Sequence, residues 1–222
     1  MAHGAYNPSC DAERIHLNYV AKSLLYCCDS TLFALGDSTL GSTNGRLEIP
    51  THVIKATQVK AAVDSCIATY IDALWATPTS FSGKYHPLDE RGATGLVRHI
   101  IKQFRLIGGI VMHFNLTARE RDVLYAASFF HDIAKVHHQT SIGHELASAS
   151  IAEAFLSEAG VDGNILAGEW MAKQIVDIVK CHTAAWRQDL PQPKMKLEFI
   201  FSMLDYIVAQ DYVVVDIGGY VP

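Results

Sequence analysis

A small set of residues in this chain could bind divalent cations from places where apolar helices would otherwise not tolerate them. His99 lies within "GLVRHIIKQF", and His131 and Asp132 follow the apolar run "LYAASFF". His144 opens a further helical stretch beside Glu145, His182 closes another, and Asp205 sits between Leu204 and Tyr206. They are spread over successive predicted helices. Burying any one of them without a partner costs several kcal/mol. Gathered around a cation, the same burial becomes binding energy. Imidazole and carboxylate donors suit Mn, Fe, Co, Ni or Zn, with Mg favoured where oxygen dominates. Taken singly, such a residue is more often a hydrogen-bonded part of the core than a ligand. The ordered set is what points to divalent metal ions.

Cationic residues accompany this set. Lys135 follows Asp132 by one helical turn, and the segment "SGKYHPLDERG" supplies Lys84, His86 and Arg91 just ahead of His99. Arg98 adjoins His99 directly. Lysine and arginine in such positions suit phosphate recognition. The alternatives are a solvated helix-end lysine complementing the dipole and an ordinary surface loop. Tyr85 and Trp186 could stack on a base or simply pack. His137 and His138 are turned away from His131 by the helix, and His3, His16, His52 and His113 have no partner visible in sequence.

The elements that must position these residues are helical. Apolar residues recur at helical spacing over 12–36 and again over 56–76, where Thr77-Pro78 ends the helix. Between them lies a loop with a short hairpin expected at Asn44-Gly45. Residues 77–95 form a polar loop long enough to suggest function. "GLVRHIIKQFRLIGGIVMHF" is amphipathic, and Thr117 with Glu120 forms a capping box for the helix ending in the His-Asp pair. "HELASASIAEAFLSEAG" ends in glycine, as helices often do. "NILAGEWMAKQIVDIVKCH" and "MKLEFIFSMLDYIVAQDYVVV" complete the series. Strand signals are nearly absent, and the final "YVVVDIGGYV" reads as an extended tail. The expected fold class is all-α, a bundle of roughly seven or eight helices.

The order His99, His131-Asp132, His144, His182, Asp205 resembles that of the HD-domain superfamily of metal-dependent phosphohydrolases. "GLVRHIIKQF" looks like that family's first-histidine helix. "AASFFHDIAK" looks like its namesake motif, with Ala134 where glycine is usual. "GHELASASIA" resembles the segment after it, and "MLDYIVAQD" the closing aspartate helix. The resemblance spans about residues 84–212. It implies an HD-domain-like helical bundle at 81–222, with residues 1–80 as an added N-terminal helical and loop segment packing on that core.

The resemblance also implies that His99, His131, Asp132 and Asp205 hold one ion. His144 and His182 occupy the second-ion positions of the two-metal branches, with Asp132 bridging. Alternatively, they touch only the phosphate or the attacking water. Divalent ions acidify water and clamp the oxygens of an in-line displacement at phosphorus. Asp132 and Lys135 are then the catalytic residues. Lys84, His86, Arg91, Arg98 and Lys135 are the substrate-binding ones, and the substrate is a phosphate ester of a nucleotide or short oligonucleotide. The chain departs from some branches: no "GYP" follows the His-Asp pair, and the regulatory pieces of a cyclic-di-GMP phosphodiesterase are missing. The "SGKYHP" stretch has only a loose likeness to exoribonuclease HD domains. Rival readings are a nuclease using the same site, a non-catalytic module stapled by metal, and a di-iron oxygenase.

Composition narrows the partners. The formal charge of −5 gives no global footprint for a long polyanion. A mononucleotide or short oligonucleotide fits better, with single-stranded nucleic acid as the further possibility. Five cysteines without CxxC spacing suggest reduced thiols rather than a disulfide framework. No apolar run reaches the roughly 18 residues needed to span a bilayer, and the first residues lack the pattern of a secretory signal. The expectation is an intracellular, cytoplasmic protein without a membrane partner. Oligomeric state leaves no mark on the sequence.

Overall fold

The computed structural model describes residues 47–82, 86–137, 143–161, 169–184 and 186–210. The helix expected over 12–36, the hairpin at Asn44-Gly45 and the extended tail lie outside the described residues, as do Lys84, Tyr85 and His138. Among the described residues, six α-helices follow in order: α1 (Thr57–Ala76), α2 (Gly95–Ile110), α3 (Ala118–Phe130), α4 (His144–Glu158), α5 (Glu169–Cys181) and α6 (Lys196–Val208). Short 3-10 turns occupy Thr51–Val53, Leu88–Glu90 and Ile133–Val136. The described residues contain no strand, so the all-α expectation holds.

Several helix ends follow directly from sequence. The capping box of α3 is formed: Thr117 Oγ1 accepts from the Glu120 N–H at 3.2 Å, and the Glu120 carboxylate accepts from the Thr117 N–H at 2.8 Å. After α4, Gly160 takes φ 70°, the left-handed conformation in which glycine closes a helix. Helix α2 stops at Ile110, short of the amphipathic stretch that suggested it would reach Phe114. Gly108-Gly109 weakens its last turn, and Met112 and His113 beyond it are exposed, while Val111 and Phe114 still pack against the core.

Other ends are set by tertiary contacts. The N-cap of α1 is Ala56, which has no capping side chain. Asp122 of α3 supplies one instead, accepting from the Ala56 N–H at 2.7 Å and the Lys55 N–H at 3.1 Å. The polar loop 77–95 is pinned at both ends. Thr94 N–H donates to Trp75 O at 2.8 Å, Leu96 N–H to Thr77 O at 3.1 Å and Thr79 N–H to Glu90 O at 3.0 Å. Loop and helix α2 therefore leave the end of α1 as one strapped unit.

The helices enclose one main apolar core, with Ile100 and Ile107 from α2, Leu124, Phe129 and Phe130 from α3, Ile175 from α5 and Phe201 from α6 fully buried. Val59, Ala62, Val63, Cys66 and Leu74 of α1 belong to the same core. Cys66 and Cys181 are buried free thiols, and burial pushes each up to about 12. Among the described residues, no helix is long and apolar enough to cross a membrane. Residues His131 and Asp132 form the turn between α3 and the Ile133–Val136 3-10 turn, where the chain changes direction and both side chains face inward.

Candidate metal centre

Three histidines have one ring nitrogen committed to an acceptor. His131 Nδ1 donates to Ser128 O at 2.9 Å, and His182 Nδ1 to Val179 O at 2.7 Å. His99 Nδ1 donates to Glu90 Oε2 at 3.0 Å. A proton fixed on Nδ1 leaves Nε2 with its lone pair free. Those Nε2 atoms converge. His99 Nε2 lies 3.0 Å from Asp205 Oδ1, and His131 Nε2 lies 3.5 Å from the same oxygen and 3.3 Å from Asp132 Oδ2. On the other side of Asp132, His144 Nε2 is 3.0 Å and His182 Nε2 3.7 Å from Oδ1. The two groups, His99–His131–Asp205 and Asp132–His144–His182, each keep their donor atoms within 4.8 Å of one another.

Polar satisfaction shows what these donors fit. His131 Nε2 and Asp132 Oδ1 are buried and make no hydrogen bond. The Nε2 atoms of His144 and His182 face each other at 3.3 Å. Donor atoms this crowded, two of them without a hydrogen bond, suit a cation lying among them. Imidazole nitrogens and carboxylate oxygens are the donors of a divalent transition metal.

Burial and neighbouring charges set the protonation of these groups. Burial alone would raise the Asp132 carboxyl, but the Lys135 ammonium and then His131 hold it well below the usual carboxylate range. Burial likewise opposes ionisation of Asp205, and the His99 hydrogen bond with the charge of His131 outweighs it. Burial, reinforced by His131, pushes His182 down to about 4 and keeps it neutral, the form that ligates metal. Burial would lower His99 too, but Glu90 and then Asp205 hold it at about 9, so a cation bound there must displace the proton on its Nε2.

The expected substrate residues occupy varied places. Lys135 is buried, and its Nζ donates to Asp132 Oδ2 at 2.6 Å and Thr79 O at 2.8 Å. His86 is largely buried; its Nδ1 lies 3.0 Å from Glu90 Oε2, and its ring stands edge-on to that of His99 at 5.0 Å. Arg91 is exposed, with Nε donating to His86 O at 2.8 Å. Arg98 is buried and donates to Thr94 Oγ1 at 3.2 Å. Trp186 is half exposed and stacks on Tyr206, the residue after Asp205, with ring centroids 5.6 Å apart. His137 is exposed and set edge-on against Tyr70 rather than near His131. His52 and His113 are exposed.

Four residues of the site escaped the sequence reading. Gln103 donates from Nε2 to Asp205 Oδ1 at 2.9 Å and accepts from Ser128 Oγ at 2.6 Å. Its signal was present, since it lies one helical turn beyond His99. The Ser128 hydroxyl is thereby part of the polar site rather than of the apolar face suggested by its neighbours. Glu145 accepts from Thr183 Oγ1 at 2.5 Å and Arg187 Nη1 at 3.3 Å, joining the start of α4 to the chain just after His182. Glu90 is fully buried beneath His99, in a loop whose sequence carries no periodicity to mark it.

A family model described as the HD domain matches residues 96–209, just over half of the chain. The chain belongs to the HD-domain family. HD-domain proteins are metal-dependent phosphohydrolases, and the matched span contains every residue of both His/Asp groups. Comparison with curated proteins and with solved structures returned no match.

Proposed function

We propose that this HD-domain protein hydrolyses a phosphate ester of a nucleotide or short oligonucleotide at a centre for two divalent ions. One observation carries the two-ion reading: the oxygens of Asp132 face different histidines, Oδ2 toward His131 and Oδ1 toward His144 and His182. His99, His131, Asp132 and Asp205 would hold one ion, and Asp132, His144 and His182 the other. Mn, Fe, Co, Ni, Zn or Mg there would acidify water and clamp the oxygens of an in-line displacement.

The chain's own residues do the rest. Lys135 fixes Asp132 from the side of Thr79 and brings a buried positive charge to the site, where charge develops on phosphoryl oxygens. Lys84, His86 and Arg91 from the segment leading into α2, with Arg98 of its first turn, contact the phosphate, the lysine and arginines as cations and the buried His86 as a neutral imidazole. The overall charge of −5 favours a short substrate over a long polyanion. Trp186, stacked on Tyr206 with half its surface exposed, offers a face for a base.

The test is a substrate panel with Mn: mononucleotides, dinucleotides, cyclic dinucleotides and single-stranded RNA. Turnover of mononucleotides or dinucleotides is expected, with Asp132→Ala abolishing it and stripping metal. Preferential degradation of long RNA would replace this reading with a nuclease. Full activity of Asp132→Ala would sink the mechanism.

A further inference from the structure

We propose that Glu90 is a positioning residue of the metal centre, holding His99 with its Nε2 turned toward the site shared with His131 and Asp205. The proposal rests on reading those three residues as an ion site.

The first ground is the contrast among the histidines. His131 and His182 are anchored by main-chain carbonyls of their own helices, Ser128 O and Val179 O. His99 has no such carbonyl. Its Nδ1 is held by a side chain from a different element, the Leu88–Glu90 turn.

The second ground is how Glu90 is built in. Its carboxylate is fully buried and takes three donors: His99 Nδ1 and His86 Nδ1, each at 3.0 Å, and Lys102 Nζ at 2.7 Å. Lys102 is also buried and reaches Asp89, so its charge stays beside this turn. A carboxylate taken out of water is tolerated when its oxygens are this fully used.

The third ground is the backbone. Glu90 N–H donates to Pro87 O at 3.0 Å, and Glu90 O accepts from Thr79 N–H at 3.0 Å. Gly95, the first residue of α2, approaches so closely that a Cβ there would lie 2.0 Å from Glu90 O. The turn is thus seated against the helix that carries His99. Carboxylates paired with ligating histidines fix ring orientation and raise ligand basicity.

Although His86, Glu90 and His99 also bring donor atoms within 4.8 Å of one another, they are not a further ion site. The Lys102 ammonium already provides the cation, and using His99 Nδ1 as a ligand would cost the orientation of its Nε2.

Co(II) titration of the metal-stripped full-length chain tests this, read by calorimetry and by the visible absorption of bound Co(II). Four proteins are compared: wild type, His99→Ala, Glu90→Gln and Glu90→Asp. Glu90→Gln keeps the size of the side chain and removes its charge. It is expected to weaken one Co(II) equivalent about 10- to 100-fold while the other is unchanged. Glu90→Asp keeps the charge near Lys102 but shortens the reach to His99, and the same site-selective loss is expected. If His99→Ala binds Co(II) like wild type, the ion-site reading itself fails. If His99→Ala loses an equivalent while a folded Glu90→Gln or Glu90→Asp keeps wild-type affinity and spectrum, the positioning role is overturned.

Discussion

Gln103 shows how much of the centre depends on uncharged groups. Its amide is shared between Asp205 and Ser128, so each end of one side chain settles a different buried polar atom. Gln103→Leu keeps much of the volume and leaves both partners without it. Loss of about 1–3 kcal/mol is expected, because the buried Ser128 hydroxyl loses its acceptor and Asp205 Oδ1 keeps only the hydrogen bond with His99. A shift in the urea midpoint at unchanged slope would register it. An unchanged midpoint would mean that Asp205 and Ser128 find other partners. The residue was legible as a polar position one turn from His99. Its role was not, because Asp205 lies on another helix more than a hundred residues away.

At the scale of elements, the join between loop 77–95 and α2 stands out. Thr94 takes φ 67°, a left-handed conformation that a β-branched residue seldom adopts. The next residue, Gly95, packs against the Glu90 carbonyl without room for a side chain. Gly95→Ala must displace that backbone. A loss of about 1–3 kcal/mol is expected, as for other overpacked sites, and thermal unfolding would measure it. Stability equal to wild type would show that the turn can yield.

Local signals such as the α3 capping box and the bounds of α1 were readable because they depend on neighbours in sequence. The cap of α1 was not, since Asp122 reaches it from another helix. The loop 77–95 read as long and polar, but its straps to Trp75, Thr77 and Thr79 are pairings between distant backbone atoms that no periodicity announces. The candidate metal residues stood out in the sequence for the opposite reason. Histidine and aspartate within apolar helices contradict their surroundings, and the contradiction repeats in a fixed order.

Across the whole molecule, the centre gathers α2, the turn after α3, the start of α4, the chain just after α5, and α6. An ion bound there ties these elements to one point and stabilises the fold by mass action. At a thousandfold excess over Kd this amounts to about 4 kcal/mol. Stripping the metal with a chelator is expected to lower Tm by on the order of 10 °C for a chain of this size. Restoring Mn, Co or Zn should recover it. A Tm indifferent to chelator would contradict a metal-stapled core.

The burial of the donors has a kinetic side as well. His99, His131 and His182 expose 1 % of their surface or less, and Asp205 only 14 % of its side chain. An ion held among them can exchange only when a helix end opens locally, and such openings are infrequent in a well-packed core. The metal found in a preparation would then record which ion was abundant while the chain was folding, rather than which ion the site prefers at equilibrium.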